Sequence, residues 1–147
     1  MVASAAEVLQ SAGITVNVAF TRELFRPELS RITIGNCLIG QMTIEQLQLF
    51  DIREGAGAHD IVVYFLEETI PASLGCAAHP ASRPALIITQ LANRWTLAHE
   101  LGHVLGLRHV DEKRRLMTSA GTSSFDSQVP LLSDYEIEIL RHSVGML

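Results

Sequence analysis

The stretch "LAHELGHVLGLRH" occupies residues 97–109 and places three histidines, one glutamate and two glycines at fixed intervals. His99 and His103 are four residues apart. In an α-helix this spacing corresponds to about 400° of rotation, so both imidazoles lie on one face, roughly 6 Å apart. Nitrogens at that separation can reach one zinc ion, because Zn–N distances are about 2.0–2.1 Å. The spacing therefore predicts a helix that carries two metal ligands on one face.

A third ligand, His109, fits this arrangement only if the helix ends before it. A continued helix would carry His109 about 600° round from His103 and about 9 Å further along the axis, too far to share the metal. Gly106 lies between them, and glycine adopts the positive φ of a helix C-terminus without strain. We therefore predict that the helix ends near Gly106 and that the following turn brings His109 to the other two imidazoles.

Glu100 directly follows the first histidine. Its side chain is turned about 100° round the helix from His99, so it cannot easily act as a further ligand. It can instead hydrogen-bond a water molecule at the metal. Three neutral imidazoles leave the fourth position of a tetrahedral zinc open, as a catalytic site requires. We predict one catalytic Zn²⁺ held by His99, His103 and His109, with Glu100 as the general base.

The pattern H-E-x-x-H-x-x-G-x-x-H, here "HELGHVLGLRH", resembles the signature of the metzincin metallopeptidases. Members also carry a methionine in a tight turn below the metal. The segment "RRLMTSAG" supplies Met117, eight residues after the third histidine. This short interval is similar to that of the matrixin branch, and the chain resembles a compact, minimal catalytic domain of bacterial type. The resemblance implies a zinc-dependent endopeptidase in which Gly106 and Met117 are structural residues at the site.

The resemblance also implies where a substrate binds. In this clan a strand at the edge of the sheet pairs with the substrate, and "SLGCAAHP", residues 73–80, lies where that strand is expected. Exposed amides of an edge strand bind an extended peptide as an added strand. We therefore expect a protein or peptide substrate along this edge, and the resemblance allows a protein inhibitor as a further partner.

The remaining sequence indicates alternating helices and strands. Capping boxes at Thr43 with Gln46 and at Ser133 with Glu136 predict two helix starts. The other expected elements are a helix over 3–11, the metal helix from about Asn93 to 105, and strands over 14–20, near 31–40, 61–66, 73–80 and 85–89. The run 61–66 is expected to be a central strand covered on both faces. The predicted fold class is α/β (α+β), metzincin-like, with a twisted mixed sheet, an active-site helix and a small C-terminal lobe with a final helix.

Length and composition set further bounds. A chain of 147 residues predicts a single catalytic domain, with an upper lobe of about residues 1–106 and a lower lobe of about 107–147. The net charge of −5 argues against a nucleic-acid partner. No apolar run approaches the roughly 18–20 residues that span a bilayer. We expect a monomer without nucleic-acid or membrane partners. The sequence contains no Asp-rich calcium-binding loop, so we predict no calcium site.

The N-terminus and the cysteines bear on the compartment. "MVASAAEVLQSAG" lacks a basic n-region and carries Glu7 and Gln10 where a signal peptide is apolar. We therefore expect either a cytoplasmic protein or a secreted one whose leader is absent from the sequence. Cys37 and Cys76 can form at most one disulfide. We expect free thiols, with a Cys37–Cys76 bridge as the alternative.

Two other functions compete with the peptidase. The first is a non-catalytic zinc-binding or interaction module on the same scaffold. Glu100 argues against this module, because a protein that only binds zinc needs the three histidines and no glutamate beside them. The second is a zinc hydrolase that acts on a non-peptide amide. Nothing in the sequence separates this hydrolase from a peptidase.

Overall fold

The computed structural model describes residues 1–125 and 127–147, which form two compact units. One unit comprises Met1–Asn17 and Asn93–Leu147, and the other comprises Val18–Ala92. The described residues contain α1 (Val2–Gln10), β1 (Arg31–Thr33), α2 (Ile44–Phe50), β2 (Val62–Phe65), β3 (Glu68–Ile70), β4 (Gly75–Cys76), β5 (Ala85–Ile88), α3 (Thr96–Val104) and α4 (Asp134–Met146). This mixed α/β architecture confirms the predicted fold class. The predicted division into lobes near residue 106 stays a prediction.

Local sequence signals set the starts of two helices. In α2 the Gln46 N–H donates to Thr43 Oγ1 at 3.1 Å, and the Thr43 N–H donates to Gln46 Oε1 at 2.9 Å. In α4 the Glu136 N–H donates to Ser133 Oγ at 3.2 Å, and the Ser133 N–H donates to Glu136 Oε2 at 2.8 Å. Each capping box satisfies donors that a helix N-terminus leaves unpaired. Both predicted helix starts are confirmed.

The unit Val18–Ala92 contains two sheets. In one, β1 and β3 pair in parallel; in the other, β5 lies between β2, which is parallel to it, and β4, which is antiparallel. All four residues of β5 are buried, and this strand takes the central position. The prediction of a central strand over 61–66 was therefore wrong: β2 pairs only with β5 among the described strands, and Phe65 is 61% exposed. An apolar run indicates burial but does not give a strand's position in the sheet.

The predicted strand over residues 14–20 was also wrong. This segment forms no strand, and Val18 and Phe20 are 59% and 50% exposed. Alternation of apolar residues describes one face of a strand, but a strand also needs a neighbour for its backbone hydrogen bonds. None of the described strands pairs with this segment.

A disulfide joins Cys37 to Cys76, whose Cα atoms lie 5.8 Å apart. The bond links the loop after β1 to β4, and Cys76 is fully buried. The expectation of free thiols was therefore wrong. The two residues are 39 positions apart in sequence, and pairing requires Cα atoms within about 4.4–6.8 Å of each other. That proximity depends on the tertiary fold, which the cysteine spacing alone does not reveal.

The other unit is organised around α3. Helix α1 packs against α3, and its buried residues include Ala5, Val8 and Leu9. Seven of the nine residues of α3 are buried, from Thr96 to Gly102. None of the helices in the described part of the chain has the length and apolar character that a bilayer-spanning helix needs.

Helix α3 begins three residues later than predicted. Asn93 lies before the helix, where its Oδ1 accepts from the Trp95 N–H at 2.9 Å and its N–H donates to Thr96 Oγ1 at 3.0 Å. The asparagine thus closes a local turn that leads into the helix, a common use of Asx side chains. The helix itself runs through the first two histidines as predicted.

Candidate metal centre

Helix α3 presents His99 and His103 on one face. Their ring centroids are 4.8 Å apart, and the two rings meet edge to face. His99 is buried and His103 is partly buried. The four-residue spacing therefore produces the juxtaposition that helical geometry requires.

The turn after α3 is a Schellman motif centred on Gly106. The Gly106 N–H donates to the His103 carbonyl at 3.0 Å, and the Leu107 N–H donates to the Gly102 carbonyl at 2.8 Å. Gly106 has a φ of +94°, which glycine adopts without the steric penalty of a Cβ. Helix α4 covers this end of α3, since Ser143 Oγ donates to the Leu105 carbonyl at 2.7 Å. The predicted helix end is confirmed.

The turn brings His109 to the other two imidazoles. The His109 Nε2 atom lies 3.2 Å from His99 Nε2 and 3.1 Å from His103 Nε2. The side chain of His109 is exposed, so the cluster runs from a buried to an exposed residue. Among the described residues, this is the one group of three His, Cys, Asp or Glu side chains whose donor atoms lie close enough to hold a metal ion.

Backbone carbonyls fix the orientation of two of the rings. His99 Nδ1 donates to the Leu116 carbonyl at 2.7 Å, and His103 Nδ1 donates to the Leu107 carbonyl at 2.9 Å. A carbonyl oxygen only accepts, so Nδ1 of each ring carries the proton. In the neutral imidazole the Nε2 atom then carries the lone pair. Metal-binding histidines in proteins are held in this way by their second nitrogen.

The convergence of the three Nε2 atoms fits a cation. His109 Nε2 can donate one proton, to either His99 or His103, so at least one contact of 3.1–3.2 Å brings two lone pairs together. A metal ion removes this repulsion by accepting all three lone pairs. Ligands at 2.0–2.1 Å from a tetrahedral zinc lie about 3.3–3.4 Å apart, close to the separations observed. The donor set is therefore suited to zinc, which imidazole nitrogen binds well.

Burial also keeps the imidazoles neutral. Desolvation lowers the pKa of His103 to about 4 and also lowers the pKa of His99. Neutral rings retain the lone pair that a metal needs, so both residues are ready ligands at neutral pH. Desolvation acts in the opposite sense on the neighbouring Glu100, which is buried and whose pKa is raised to about 8.

Met117 packs beneath α3 and is fully buried. A Cβ atom at Gly102 would lie 2.6 Å from Met117 Sδ and 3.4 Å from Leu107 Cδ1. Real Cβ atoms do not approach sulfur so closely, so the glycine makes room for the methionine. This contact accounts for a glycine inside a helix, where it otherwise costs about 1 kcal/mol relative to alanine.

The sequence did not reveal the carbonyl partners of the histidines. The Leu107 and Leu116 carbonyls hold the rings, but every residue has a carbonyl and no sequence signal marks these two. The carboxylate of Asp111, which is close in sequence to His109, is not the group that accepts the hydrogen bond from Nδ1 of His99 or His103. Its Oδ1 accepts from Ser119 Oγ at 3.4 Å on an exposed part of the surface.

Comparison with known families adds an independent finding. The family model of the matrixins matches residues 40–139, which is more than half of the chain. A comparison with curated proteins finds no similar sequence. The matched range contains the three clustered histidines, the turn at Gly106 and Met117. The extent of this match shows that the chain belongs to the matrixin family of zinc metallopeptidases.

Proposed function

We propose that the protein is a zinc-dependent endopeptidase that cleaves internal peptide bonds. In this proposal His99, His103 and His109 hold one Zn²⁺, and Glu100 is the general base. The observation that carries the proposal is the meeting of three imidazole Nε2 atoms, two of them in rings fixed by backbone carbonyls. Membership of the matrixin family supports the same chemistry.

Held by His99, His103 and His109, zinc would supply Lewis-acid chemistry that polarises a carbonyl. The residues of the chain supply the rest. The Leu116 and Leu107 carbonyls prevent His99 and His103 from rotating away, so the donors are organised before the ion arrives. The Schellman turn at Gly106 fixes the path that leads to His109.

Glu100 moves the proton. It accepts a proton from the attacking water and passes it to the departing amine, a contribution worth about 10²–10⁴ in rate. Burial alone disfavours the carboxylate of Glu100, whereas a cation held by the neighbouring histidines favours it. A buried glutamate is rare unless a partner compensates it. Its presence beside the ligands favours an enzyme over a non-catalytic zinc-binding module.

We also propose that an extended protein or peptide substrate pairs with β4. This strand hydrogen-bonds to β5 along one edge, and among the described strands none pairs with its other edge. An unpaired edge offers backbone donors and acceptors to an added strand. The same edge would accept a protein inhibitor in extended form.

Cleavage of a peptide library by the zinc-loaded protein tests the proposal. We expect cuts at internal bonds, loss of cleavage to the buffer background after zinc is chelated, and recovery when zinc is returned. Mass spectrometry of the products locates the cuts. A protein that binds zinc but cleaves no peptide would contradict the proposal in favour of the binding module. Hydrolysis restricted to non-peptide amides would contradict it in favour of the alternative hydrolase.

A further inference from the structure

Glu136 makes more contacts than a capping box requires. Its side chain is 6% exposed, and Oε2 accepts from Arg115 Nη2 at 2.5 Å as well as from the Ser133 N–H at 2.8 Å. Gln46 performs the same capping role in α2 without a charge. The negative charge of Glu136 is therefore not needed to start α4. It is instead matched to Arg115, which lies two residues before Met117.

A contribution to folding stability does not by itself explain why the chain has the Arg115–Glu136 ion pair. Buried ion pairs lose much of their attraction to desolvation, and apolar residues of similar size often serve stability as well. Arg115 Nε and Glu136 Oε1 are also buried without a hydrogen-bond partner among the described residues. What the pair does provide is a fixed position for Arg115 relative to the first turn of α4.

Arg115 lies in the segment that carries the carbonyl partner of His99. The next residue, Leu116, donates its N–H to the Leu131 carbonyl at 2.9 Å, and the Leu131 N–H donates to the Arg114 carbonyl at 2.8 Å. These bonds flank Arg115 and hold its backbone against that of Leu131, which lies just before α4. The Leu116 carbonyl then accepts from His99 Nδ1 at 2.7 Å.

The same segment supports His109 on its other side. The Val110 N–H donates to the Met117 carbonyl at 2.9 Å, and the Ser119 N–H donates to the Val110 carbonyl at 2.9 Å. Val110 directly follows His109. The segment 114–119 thus lies between the end of the metal-binding turn and the start of α4.

We propose that Arg115 and Glu136 form a positioning pair that holds the Leu116 carbonyl against His99 and the Met117 carbonyl against Val110. Neither residue belongs to the group of histidines that would hold the metal. The pair acts through the backbone of the segment it anchors. Its functional meaning rests on the proposed zinc centre, whereas its effect on the imidazole of His99 does not require a bound ion.

The experiment compares Arg115→Met, Arg115→Lys and Glu136→Gln with two matched controls. Lys113→Met removes a positive charge from an exposed neighbour, and Glu138→Gln removes a carboxylate from an exposed position of α4. The first readout is the histidine side-chain ¹⁵N NMR spectrum of the metal-free protein at pH 8. The second readout is zinc affinity, measured by competition with a chromophoric chelator.

In the wild type and both controls, we expect His99 to be a single tautomer with the proton on Nδ1. In Arg115→Met we expect the Nε2–H tautomer to become populated and zinc affinity to fall by about 10-fold or more, since partners that orient ligands contribute about 10–100-fold. Arg115→Lys, which keeps the charge, should recover part of this loss. The double variant Arg115→Met with Glu136→Gln should bind zinc no more weakly than Arg115→Met, because Arg115→Met already removes the contact with Glu136. Arg115→Met also removes an exposed contact, in which Arg115 Nη1 donates to Glu112 Oε2 at 2.9 Å, whereas Glu136→Gln leaves that contact in place.

An unchanged His99 tautomer and unchanged zinc affinity in Arg115→Met would overturn the proposal, even if the unfolding temperature falls, because the pair would then be purely structural. If Arg115→Met fails to fold, Glu136→Gln decides, since it keeps the size and the capping oxygen of the side chain. A wild type that binds no zinc would refute the proposed metal centre, while the tautomer of His99 would still decide the positioning pair.

Discussion

Replacing Glu100 with alanine is expected to lower kcat/KM for peptide cleavage by about two to four orders of magnitude. Zinc content is expected to stay near one ion per chain, because the three imidazoles and their carbonyl partners are unaffected. The loss follows from the missing proton acceptor: attack by water on a peptide carbonyl releases a proton, and Glu100 is the group proposed to take it. The measurement is steady-state cleavage of one peptide substrate, with metal content determined on the same samples.

Glu138→Ala is the matched control for this variant. Glu138 is an exposed glutamate of α4, and its removal should leave both turnover and zinc content unchanged. Equal turnover by the wild type and Glu100→Ala would eliminate the proposed mechanism. Loss of zinc from Glu100→Ala would assign the residue to the metal rather than to proton transfer.

Replacing His109 with alanine is expected to weaken zinc binding by at least about 100-fold. Apparent binding energies of structural zinc are about 10–16 kcal/mol for four ligands, so one ligand contributes roughly 3 kcal/mol. The exposed position of His109 means that its truncation removes little packing, and the change should act on the metal rather than on folding. Chelator competition gives the affinity, and circular dichroism of the metal-free protein checks the fold.

His142→Ala is the control for the histidine variant. His142 is an exposed residue of α4 and lies outside the histidine cluster, so its loss should leave zinc affinity at the wild-type value. An affinity that is the same for His109→Ala and His142→Ala would show that two imidazoles of α3 bind the ion without the third. That result would contradict the three-histidine site.

Local physical chemistry accounts for the features that the sequence predicted well. The four-residue spacing of His99 and His103 produces adjacent rings on any α-helix, and Gly106 adopts the positive φ that ends the helix. The two capping boxes depend only on residues three positions apart. In each case the interacting groups are close in sequence, so their spacing along the chain determines how they lie relative to one another.

The predictions that were wrong concern contacts between residues that are far apart in sequence. The order of strands around β5 and the Cys37–Cys76 disulfide depend on segments that are distant in sequence. The alternation over residues 14–20 predicted a strand, but it gave no information about a pairing partner. The site shows the same limit: the Leu116 carbonyl and the Arg115–Glu136 pair reach α3 and α4 through tertiary contacts. Spacing identified the candidate ligands, while the groups that hold them required the structure.

X-ray absorption at the zinc edge, together with a crystal structure of the zinc-loaded protein, tests the central claim most directly. We expect three Nε2 atoms, from His99, His103 and His109, at about 2.0–2.1 Å from one zinc, with a solvent oxygen completing the coordination. A zinc-loaded structure in which His109 points away from the other two rings would contradict the account. So would a fourth protein side chain that permanently occupies the position of the solvent oxygen.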